Sequence, residues 1–427
     1  FLYRVKRNGY LGIGFTCGGF IHQTSKNEIN YYPRWVDKMN MRNVNIVARY
    51  ESKLLRRDIV FLGFVVIALV GISLWQMIKQ GRVNVFWYKV ALPSSFPFFS
   101  MYYYNLVQVL IAWFVCMEVV YRERKKDAME VFLCRPFRNS EYCIGRFLGI
   151  FRMFLFVNIC VLLVCMYINF WVVGAPFNVW IYVFYLFTLS IPTLIFVLGC
   201  ALSISAMVKN RPLSVLVLGL LGLGVYFYLD EWQFGAFDFW GRNLPNMFSD
   251  VVGHPDLKGY LLHRLTYTGL GVAGVLFWVA NMKRLRDHKE HQGLQWGSGG
   301  VVVLCSVICL FLYWDAIRQR ECRSEEYRQA YVEYQSRPKA RVTNHEISYE
   351  WKDGEMWLDS RMTLQNRNQE RLSEIVLYLN PSLEIYSLKE AGNDMGYHRD
   401  QQVVVLERQL LPGDTISLHL SYKGKID

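Results

Sequence analysis

The chain has 427 residues, a formal net charge of +12 and 53% hydrophobic residues. Charged residues make up only 19% of it, below the quarter that is typical of soluble domains, and this excludes an ordinary soluble protein. The excess of Lys and Arg does not indicate a nucleic-acid partner, because membrane proteins collect basic residues on their cytoplasmic side. Apolar runs dominate residues 59–317 and polar residues dominate 318–427, so the strongest boundary lies near residue 318.

Residues 1–40 form an N-terminal segment without a clear pattern, and they are left unassigned. The apolar stretch Gly9–Ile21 is rich in glycine, too short to span a bilayer, and lacks a signal-peptide cleavage pattern. A basic helix is predicted directly afterwards, and Met39 or Met41 is the expected start of the natural protein.

Seven apolar segments are long enough to cross a bilayer, since a helix needs about 20 apolar residues for the crossing. Pro192 lies inside the fourth segment, where it is expected to kink the helix. This pattern predicts an α-helical polytopic membrane protein with six core spans plus a seventh. The segments are residues 59–78, 98–120, 147–172, 179–207, 212–230, 264–282 and 297–317.

Lys and Arg residues predict the orientation of these spans. Basic clusters precede the first span, follow the second, separate the fourth from the fifth and follow the sixth. They alternate with loops that carry fewer positive charges, and the loop at residues 79–97 is a mild exception. Because basic clusters stay on the cytoplasmic side, the N-terminus is predicted to be cytoplasmic and the region after the seventh span extracytoplasmic.

The segment that follows the second span differs from an ordinary loop. Charged residues dominate from Arg122 to Glu130, apolar residues follow, and Pro136 is expected to end the element. The pattern fits an amphipathic helix on the cytoplasmic surface. A solvated basic loop is the alternative, and the residues alone favour it. Glu118, the main ionisable residue within the spans, is predicted to pair locally with Arg122.

The connection between the fifth and sixth spans, residues 231–263, is rich in aromatic residues. Such side chains lie well at the headgroup level of a bilayer. They could form short helices that dip into the outer leaflet or line a substrate exit. An ordinary interfacial aromatic belt is the alternative. The candidate residues of this outer interfacial loop are Trp232, Phe234, Phe237, Phe239 and Trp240.

This order of elements resembles the permease subunit of type-2 ABC transporters over residues 41–290. A basic amphipathic helix precedes the first span, and the second span runs into a charged segment. The aromatic connection lies between the fifth and sixth spans. The residues that carry the resemblance are Tyr50-Glu51-x-Lys53-Leu54-Leu55-x-Arg57, followed by Glu123, Asp127, Glu130, Arg135-Pro136, Glu141-Tyr142 and Gly145-Arg146.

The resemblance implies a multi-pass subunit of the bacterial cytoplasmic (inner) membrane, mainly of the exporter type. It also implies a second permease subunit, the same or different, and a separate ABC ATPase subunit. The chain lacks the G-x-x-x-x-G-K-[ST] motif, so the partner ATPase would bind the ATP and magnesium. The family's coupling helix follows the second span, and its role falls on Glu123, Lys126, Asp127, Glu130, Arg135 and Pro136.

The seventh span and a charged connector, residues 291–340, lead into an extracytoplasmic all-β domain, residues 341–427. Pro338 is expected to end the connector, and Asp353-Gly354 and Pro412-Gly413-Asp414 are turn signals. An antiparallel sandwich or saddle is predicted. The strand-like runs are Val342–Trp351, Glu355–Leu364, Glu374–Leu379, Leu383–Leu388, Gln402–Glu407 and Thr415–Tyr422.

Two runs of this tail, Met356–Asn366 and Leu411–Gly424, resemble the N-terminal β domain of aminopeptidase N-like zinc peptidases. The catalytic motif H-E-x-x-H is missing, and the spacing of His288 and His291 does not replace it. No catalytic or metal-binding residue is therefore assigned, and zinc would belong only to a peptidase domain further along. The chain is interpreted as a fragment of a permease–peptidase fusion.

Three classes of function are consistent with the sequence. The preferred one is a membrane permease subunit of an ATP-driven type-2 ABC transporter, coupled to a separate ATPase. The alternative is a membrane-anchored aminopeptidase N-like protein whose catalytic domain is absent from this chain. The third is a binding or sensor protein that uses the outer β domain. Seven spans exceed the needs of an anchor, which favours transport.

Overall fold

The computed structural model describes residues 5–7, 10–12, 39–80, 95–123, 138–173, 177–208, 210–229, 232–242, 248, 254, 256–282, 289–352 and 355–425. The chain divides into two compact units, Phe1–Ala316 and Ile317–Asp427. Near the N-terminus, strand β1 (Val5–Arg7) pairs with β2 (Tyr10–Gly12) in an antiparallel ladder. This pair of strands was not predicted.

Helix α1 (Met41–Leu55) is the predicted basic helix. It begins where the Asn40 side chain accepts a hydrogen bond from the backbone N–H of Arg42 at 3.0 Å, as an N-cap residue does. One face is buried, and the spacing of its residues follows the helical period. The buried residues are Val44, Val47, Ala48, Glu51 and Leu55.

The apolar region forms a series of long helices. Three of them continue or begin with a π-helical turn: α4 continues as Ile168–Val173, α6 follows Leu186–Ser190, and α7 continues as Val225–Leu229. The helices are α2 (Ile59–Gln80), α3 (Ser95–Glu123), α4 (Asn139–Tyr167), α5 (Val179–Tyr185), α6 (Ile191–Met207), α7 (Arg211–Gly224), α8 (Leu257–Asn281) and α9 (Lys289–Gln335).

The fourth span changes its helix type next to Pro192, where a kink is predicted. Helix α5 passes into the π-helical segment Leu186–Ser190, and α6 begins with Pro192 in its first turn. Proline has no N–H and crowds the carbonyl four residues before it. The widened turn directly before Pro192 is how the backbone accommodates that loss.

Among the described residues, six helices are long and apolar enough to cross a membrane. The predicted sixth span, residues 264–282, is present as α8 but is not one of these six. The predicted seventh span and its connector form a single 47-residue helix, α9. The six segments are Ile59–Ile78, Phe96–Arg122, Asn139–Trp171, Val179–Met207, Arg211–Leu229 and Gly293–Gln335.

The outer surface of these helices is apolar, unlike that of a soluble bundle, and some polar side chains lie inside. Large apolar side chains such as Ile59, Ile67 and Trp180 face outward. Amide side chains such as Asn105 and Asn158 are fully buried. Water would oppose this arrangement, and a hydrocarbon surrounding would favour it.

Helices α6 and α8 touch backbone to backbone. A Cβ added at Gly199 would lie 2.0 Å from the carbonyl oxygen of Gly271, and one at Gly274 would lie 2.6 Å from that of Gly199. Neither site has room for a side chain. Small residues are the usual means by which membrane helices approach closely.

The second unit contains two antiparallel sheets, and every strand predicted in the tail is present. The five-stranded sheet has the order β3-β4-β10-β6-β7, and the three-stranded sheet has the order β5-β9-β8. The short strands β7 and β8 were not predicted. The strands are β3 (Arg341–Lys352), β4 (Glu355–Gln365), β5 (Ile375–Tyr378), β6 (Leu383–Glu390), β7 (Asn393–Asp394), β8 (Tyr397–Asp400), β9 (Val403–Leu406) and β10 (Thr415–Gly424).

Both turn signals of the tail agree with the observed pairing. Strands β3 and β4 form a hairpin in which Lys352 faces Glu355, although Asp353-Gly354 lies outside the described residues. At the second turn Gly413 has a φ of +87°, which glycine adopts without a steric penalty. The N–H of Asp414 donates to the carbonyl of Leu411 at 3.1 Å and closes this turn.

The end of α9 is packed into the core of the second unit. Ala330 and Tyr334 of the helix cluster with Val376, Val403 and Val405 of the three-stranded sheet. Just beyond the helix, Arg337 donates a hydrogen bond to the Glu374 carboxylate, which raises the pKa of Arg337. This contact fixes the connector to the β domain.

Candidate functional site

The predicted coupling residues lie almost entirely outside the described part of the chain. Lys126, Asp127, Glu130, Arg135 and Pro136 are not described, and Glu123 is the last residue of α3. The structure does describe the residues on both sides of this segment, which we call the coupling segment (residues 124–137). The candidate site is built from those flanking contacts.

A buried ion cluster holds the chain just before the coupling segment. Glu51 of α1 is only 2% exposed. One of its carboxylate oxygens accepts a hydrogen bond from Arg146 Nε of α4 at 3.1 Å, and the other accepts one from Arg122 Nη2 of α3 at 3.1 Å. Arg146 also donates to the Tyr142 hydroxyl at 2.7 Å and to the Val119 carbonyl. One carboxylate therefore joins three helices.

A second carboxylate holds the chain just after the coupling segment. The Glu141 carboxylate accepts hydrogen bonds from the backbone N–H of Asn40 at 2.7 Å and from the Asn43 amide at 2.9 Å. It also accepts one from the backbone N–H of Arg138 at 3.3 Å, which gives this N–H at the start of α4 a partner. Described residues on both sides of the coupling segment, Arg122 and Glu141, are thus tied to α1 or its N-cap.

Two glycines let α1 pack against α4 at this point. A Cβ at Gly145 would lie 2.7 Å from Val47 Cβ, and one at Gly149 would lie 2.7 Å from the carbonyl oxygen of Ala48. The Ser52 hydroxyl donates to the Gly149 carbonyl at 3.0 Å. The backbones are close enough that only glycine fits without a shift. Helix α1 is therefore packed tightly against α4, next to the residues that flank the coupling segment.

The predicted local pair between Glu118 and Arg122 is wrong. Glu118 pairs with Arg211 at the start of α7 at 2.9 Å, and both side chains are at least half exposed. Arg122 reaches Glu51 instead. The helical spacing permits the predicted pair, but a buried carboxylate on another helix attracts the guanidinium more strongly than an exposed one does.

Four of the five aromatic residues of the outer interfacial loop form two pairs, and the fifth, Phe234, is half-buried. Trp232 and Phe237 stack at 5.2 Å between ring centroids, and Trp232 is 55% exposed. Phe239 and Trp240 stack at 4.5 Å and are buried. The predicted interfacial role therefore suits only the first pair, since the second belongs to the core of the bundle.

The loop is held through its backbone rather than through a helical ladder. Tyr267 of α8 donates to the Ala236 carbonyl at 2.8 Å, and Arg264 of α8 donates to the Phe239 carbonyl at 3.0 Å. Tyr313 of α9 donates to the Phe234 carbonyl at 2.8 Å. Backbone that does not form a helix must find such partners when it is buried. The described stretch 232–242 of the loop is therefore a fixed part of the bundle.

A row of buried amides lies inside the bundle, and sequence reasoning missed it. Asn158 of α4 donates to Gln108 of α3 at 2.5 Å, and Gln108 donates to Asn105 at 3.3 Å. Gln76 of α2 donates to Cys165 Sγ at 2.9 Å, and Asn169 donates to the Tyr182 hydroxyl at 2.8 Å. The sequence signal for these amides is the presence of Asn and Gln inside apolar spans, because polar side chains there mark functional positions.

Several atoms of this amide row lack a hydrogen-bond partner among the described residues. They are Gln76 Oε1, Asn105 Nδ2, Asn158 Oδ1 and Asn169 Oδ1. A buried amide atom that is left unpaired costs about 1–3 kcal/mol. Water, cargo or another subunit would recover that energy. The described part of the chain contains no group of three or more His, Cys, Asp or Glu side chains that could hold a metal ion.

No protein-family model matches the chain, and no curated protein does. Among solved structures it is similar to an M1 zinc metallopeptidase from Deinococcus radiodurans bound to a Tyr-Ser-Ala substrate. The identity is 26% and the TM-score 0.19, over 20% of this chain and 21% of that one. A second structure of the same peptidase matches at 25% identity, a TM-score of 0.19 and the same coverage. The chain spans about a fifth of the peptidase it matches.

Proposed function

We propose that this chain is the permease subunit of an ATP-driven type-2 ABC transporter, an exporter of a bacterial cytoplasmic membrane. Its apolar helices span the membrane, its N-terminus is cytoplasmic and its β domain is extracytoplasmic. Support comes from the six helices that are long and apolar enough for the crossing, with amides inside and aliphatic side chains outside.

The observation that carries the proposal is the binding of residues on both sides of the coupling segment to α1 and its N-cap. Arg122 before it and Glu141 after it are both bound to α1, through Glu51 and through Asn40 and Asn43. A displacement of the segment by a docked ATPase is therefore passed to α1, α3 and α4 together. A loose surface loop would absorb such a displacement.

Partners complete the transport cycle in this proposal. A separate ATPase subunit supplies the ATP and magnesium site, because this chain carries no phosphate-binding loop motif. A second permease subunit, identical or different, supplies the other half of the pathway. The amide row of α2, α3 and α4 is the candidate surface for the polar part of a cargo, since its unpaired atoms need partners.

The test is purification of the tagged chain from its native membranes in mild detergent, followed by mass spectrometry of the bound proteins. A stoichiometric P-loop ATPase is expected. Reversal of the charges at Glu123, Asp127 and Glu130 to Lys should reduce its recovery by more than about tenfold, because like charges at an interface cost several kcal/mol.

The matched control is Glu325→Lys, which reverses an exposed carboxylate paired with Arg328 in the second unit. It should leave the ATPase bound. Recovery of the chain alone, across several detergents and with ATP present, would contradict transport. It would favour the alternative of a membrane-anchored aminopeptidase N-like protein or a binding protein.

A further inference from the structure

Within the described part of the chain, strand β3 is a long edge of the five-stranded sheet that no other strand covers. All 12 of its residues are exposed, and within that sheet its neighbour is β4. An edge strand presents a row of unpaired N–H and C=O groups, and proteins normally blunt it with a bulge or cover it. The bulge of β3 lies at its beginning, between Val342 and Asn344, and leaves residues 344–352 regular.

The exposed side chains of β3 continue the apolar core face of the sheet. Ile347, Tyr349 and Trp351 lie opposite Ser360, Leu358 and Met356 of β4. Those β4 positions are on the face that packs into the core of the β domain. On β3 the same face is open, and the three side chains are 53%, 59% and 54% exposed. A contiguous apolar surface at a free edge marks an interaction site.

We propose that β3 pairs with β3 of a second copy of this chain, antiparallel, about a two-fold axis at Tyr349. The two five-stranded sheets then form one continuous sheet. This proposal does not rest on the transport function, because it is argued only from the exposed edge of the β domain.

Repulsion between like charges excludes the registers in which the two-fold axis lies at Glu346, Ser348 or Glu350. In a two-fold antiparallel pair, one residue faces itself, and its neighbours face each other symmetrically across the axis. An axis at Glu346 or at Glu350 places each of these residues opposite itself, and an axis at Ser348 places Glu346 opposite Glu350. Like charges directly opposite each other destabilise a pair of strands. An axis at Lys352 likewise places this residue opposite itself, and one at Asn344 carries the ladder across the bulge, so the axis lies at an odd-numbered residue of the regular stretch 344–352.

Complementarity selects Tyr349 among the odd-numbered residues. With the axis there, Ile347 faces Trp351 on the apolar side, and Glu346 faces Lys352 on the other side. An axis at Ile347 provides no pair of opposite charges within β3, and an axis at Trp351 leaves only residues 350–352 of the strand to pair. An axis at His345 carries the ladder across the bulge. Aromatic, apolar and oppositely charged cross-strand pairs each add stability.

The test is disulfide cross-linking of the full-length chain in membranes, in a background with Cys305→Ser and Cys322→Ser. Tyr349→Cys should give a cross-linked dimer under a mild oxidant, because facing Cα atoms are about 4.5–5.5 Å apart and a disulfide spans this distance. Ile347→Cys and Trp351→Cys should give at least about tenfold less, since each is about 13 Å along the strand from its own copy. All three positions are exposed, so the variants should fold.

Tyr386→Cys, an equally exposed tyrosine on β6, measures random collisions and should not cross-link. A dimer that forms through Ile347→Cys instead would place the axis elsewhere and overturn the register. Absence of a dimer with all three β3 cysteines would overturn the pairing itself. Neither result depends on an ATPase, so the transport proposal stands or falls separately.

A charge exchange gives a second test in the Tyr349→Cys chain. Glu346→Lys and Lys352→Glu should each lower the yield of dimer severalfold, and the double variant should restore it. Within one chain, residue 346 faces Arg361 and residue 352 faces Glu355, so the double variant has like charges inside its own sheet. Restoration can therefore come only from the second copy, and its failure would contradict the proposal.

Discussion

Glu51 shows how one carboxylate can decide the packing of three helices. It is buried, and both of its oxygens bind guanidinium groups, one from Arg146 and one from Arg122. Burial of an ion pair does not by itself add stability, but removal of one partner leaves an uncompensated charge. The cluster therefore holds α1, α3 and α4 in one arrangement beside the coupling segment.

Glu51→Ala should lower the free energy of unfolding by about 3–5 kcal/mol, because it leaves Arg146 buried without its carboxylate. Glu118→Ala is the matched control, since Glu118 and Arg211 form an exposed pair whose loss costs at most about 1 kcal/mol. Equilibrium unfolding in mixed detergent micelles measures both. Equal losses for the two variants would show that the Glu51 cluster is no more than a surface pair.

The seam between α6 and α8 is the clearest feature at the scale of elements. Gly199, Gly271 and Gly274 bring the two backbones into contact, and a Cβ at Gly271 would lie 2.5 Å from the carbonyl oxygen of Ile195. Neither helix can yield locally, because the nearest atoms belong to backbone rather than to flexible side chains. The seam therefore fixes how close α8, with its buried Arg264, lies to the rest of the bundle.

Gly199→Ala should cost about 1–3 kcal/mol of stability, as overpacking does in a tight core. Gly219→Ala in α7 is the control, because a Cβ there meets nothing within 4 Å. Alanine is the better helix former by about 1 kcal/mol, so the control should be neutral or stabilising. Thermal unfolding of the detergent-solubilised variants separates the two, and a stable Gly199→Ala chain would contradict the seam.

The orientation of the chain belongs to the scale of the whole molecule. Cys322 is an exposed residue of the second unit, and Cys134 belongs to the coupling segment, outside the described residues. If the basic clusters are cytoplasmic, a membrane-impermeant maleimide should label Cys322 in spheroplasts and Cys134 only after permeabilisation. The remaining cysteines are replaced by Ser for this measurement. Labelling of Cys134 alone in intact spheroplasts would invert the predicted topology.

The sequence by itself determined the elements. Long apolar runs predicted the membrane-capable helices, and alternating residues predicted six strands of the tail. Pro192 predicted a kink in the fourth span, where the structure has a π-helical segment. These signals are local, because helix and strand periods and turn residues act within a few positions of the chain. The short strand β7 was missed because it has only two residues, and β8 because its residues, Tyr-His-Arg-Asp, show no apolar alternation.

Only the tertiary structure decided the partners. Glu51 and Arg146 are 95 residues apart in sequence, and no local pattern selects Arg122 for Glu51 over Glu118. Likewise the composition of the aromatic loop could not separate buried Phe239 from exposed Trp232. The positions of Asn and Gln within the spans did not predict that these side chains are buried inside the bundle. Each of these outcomes depends on which helix faces meet, because burial and charge pairing are properties of the packed bundle and not of any segment.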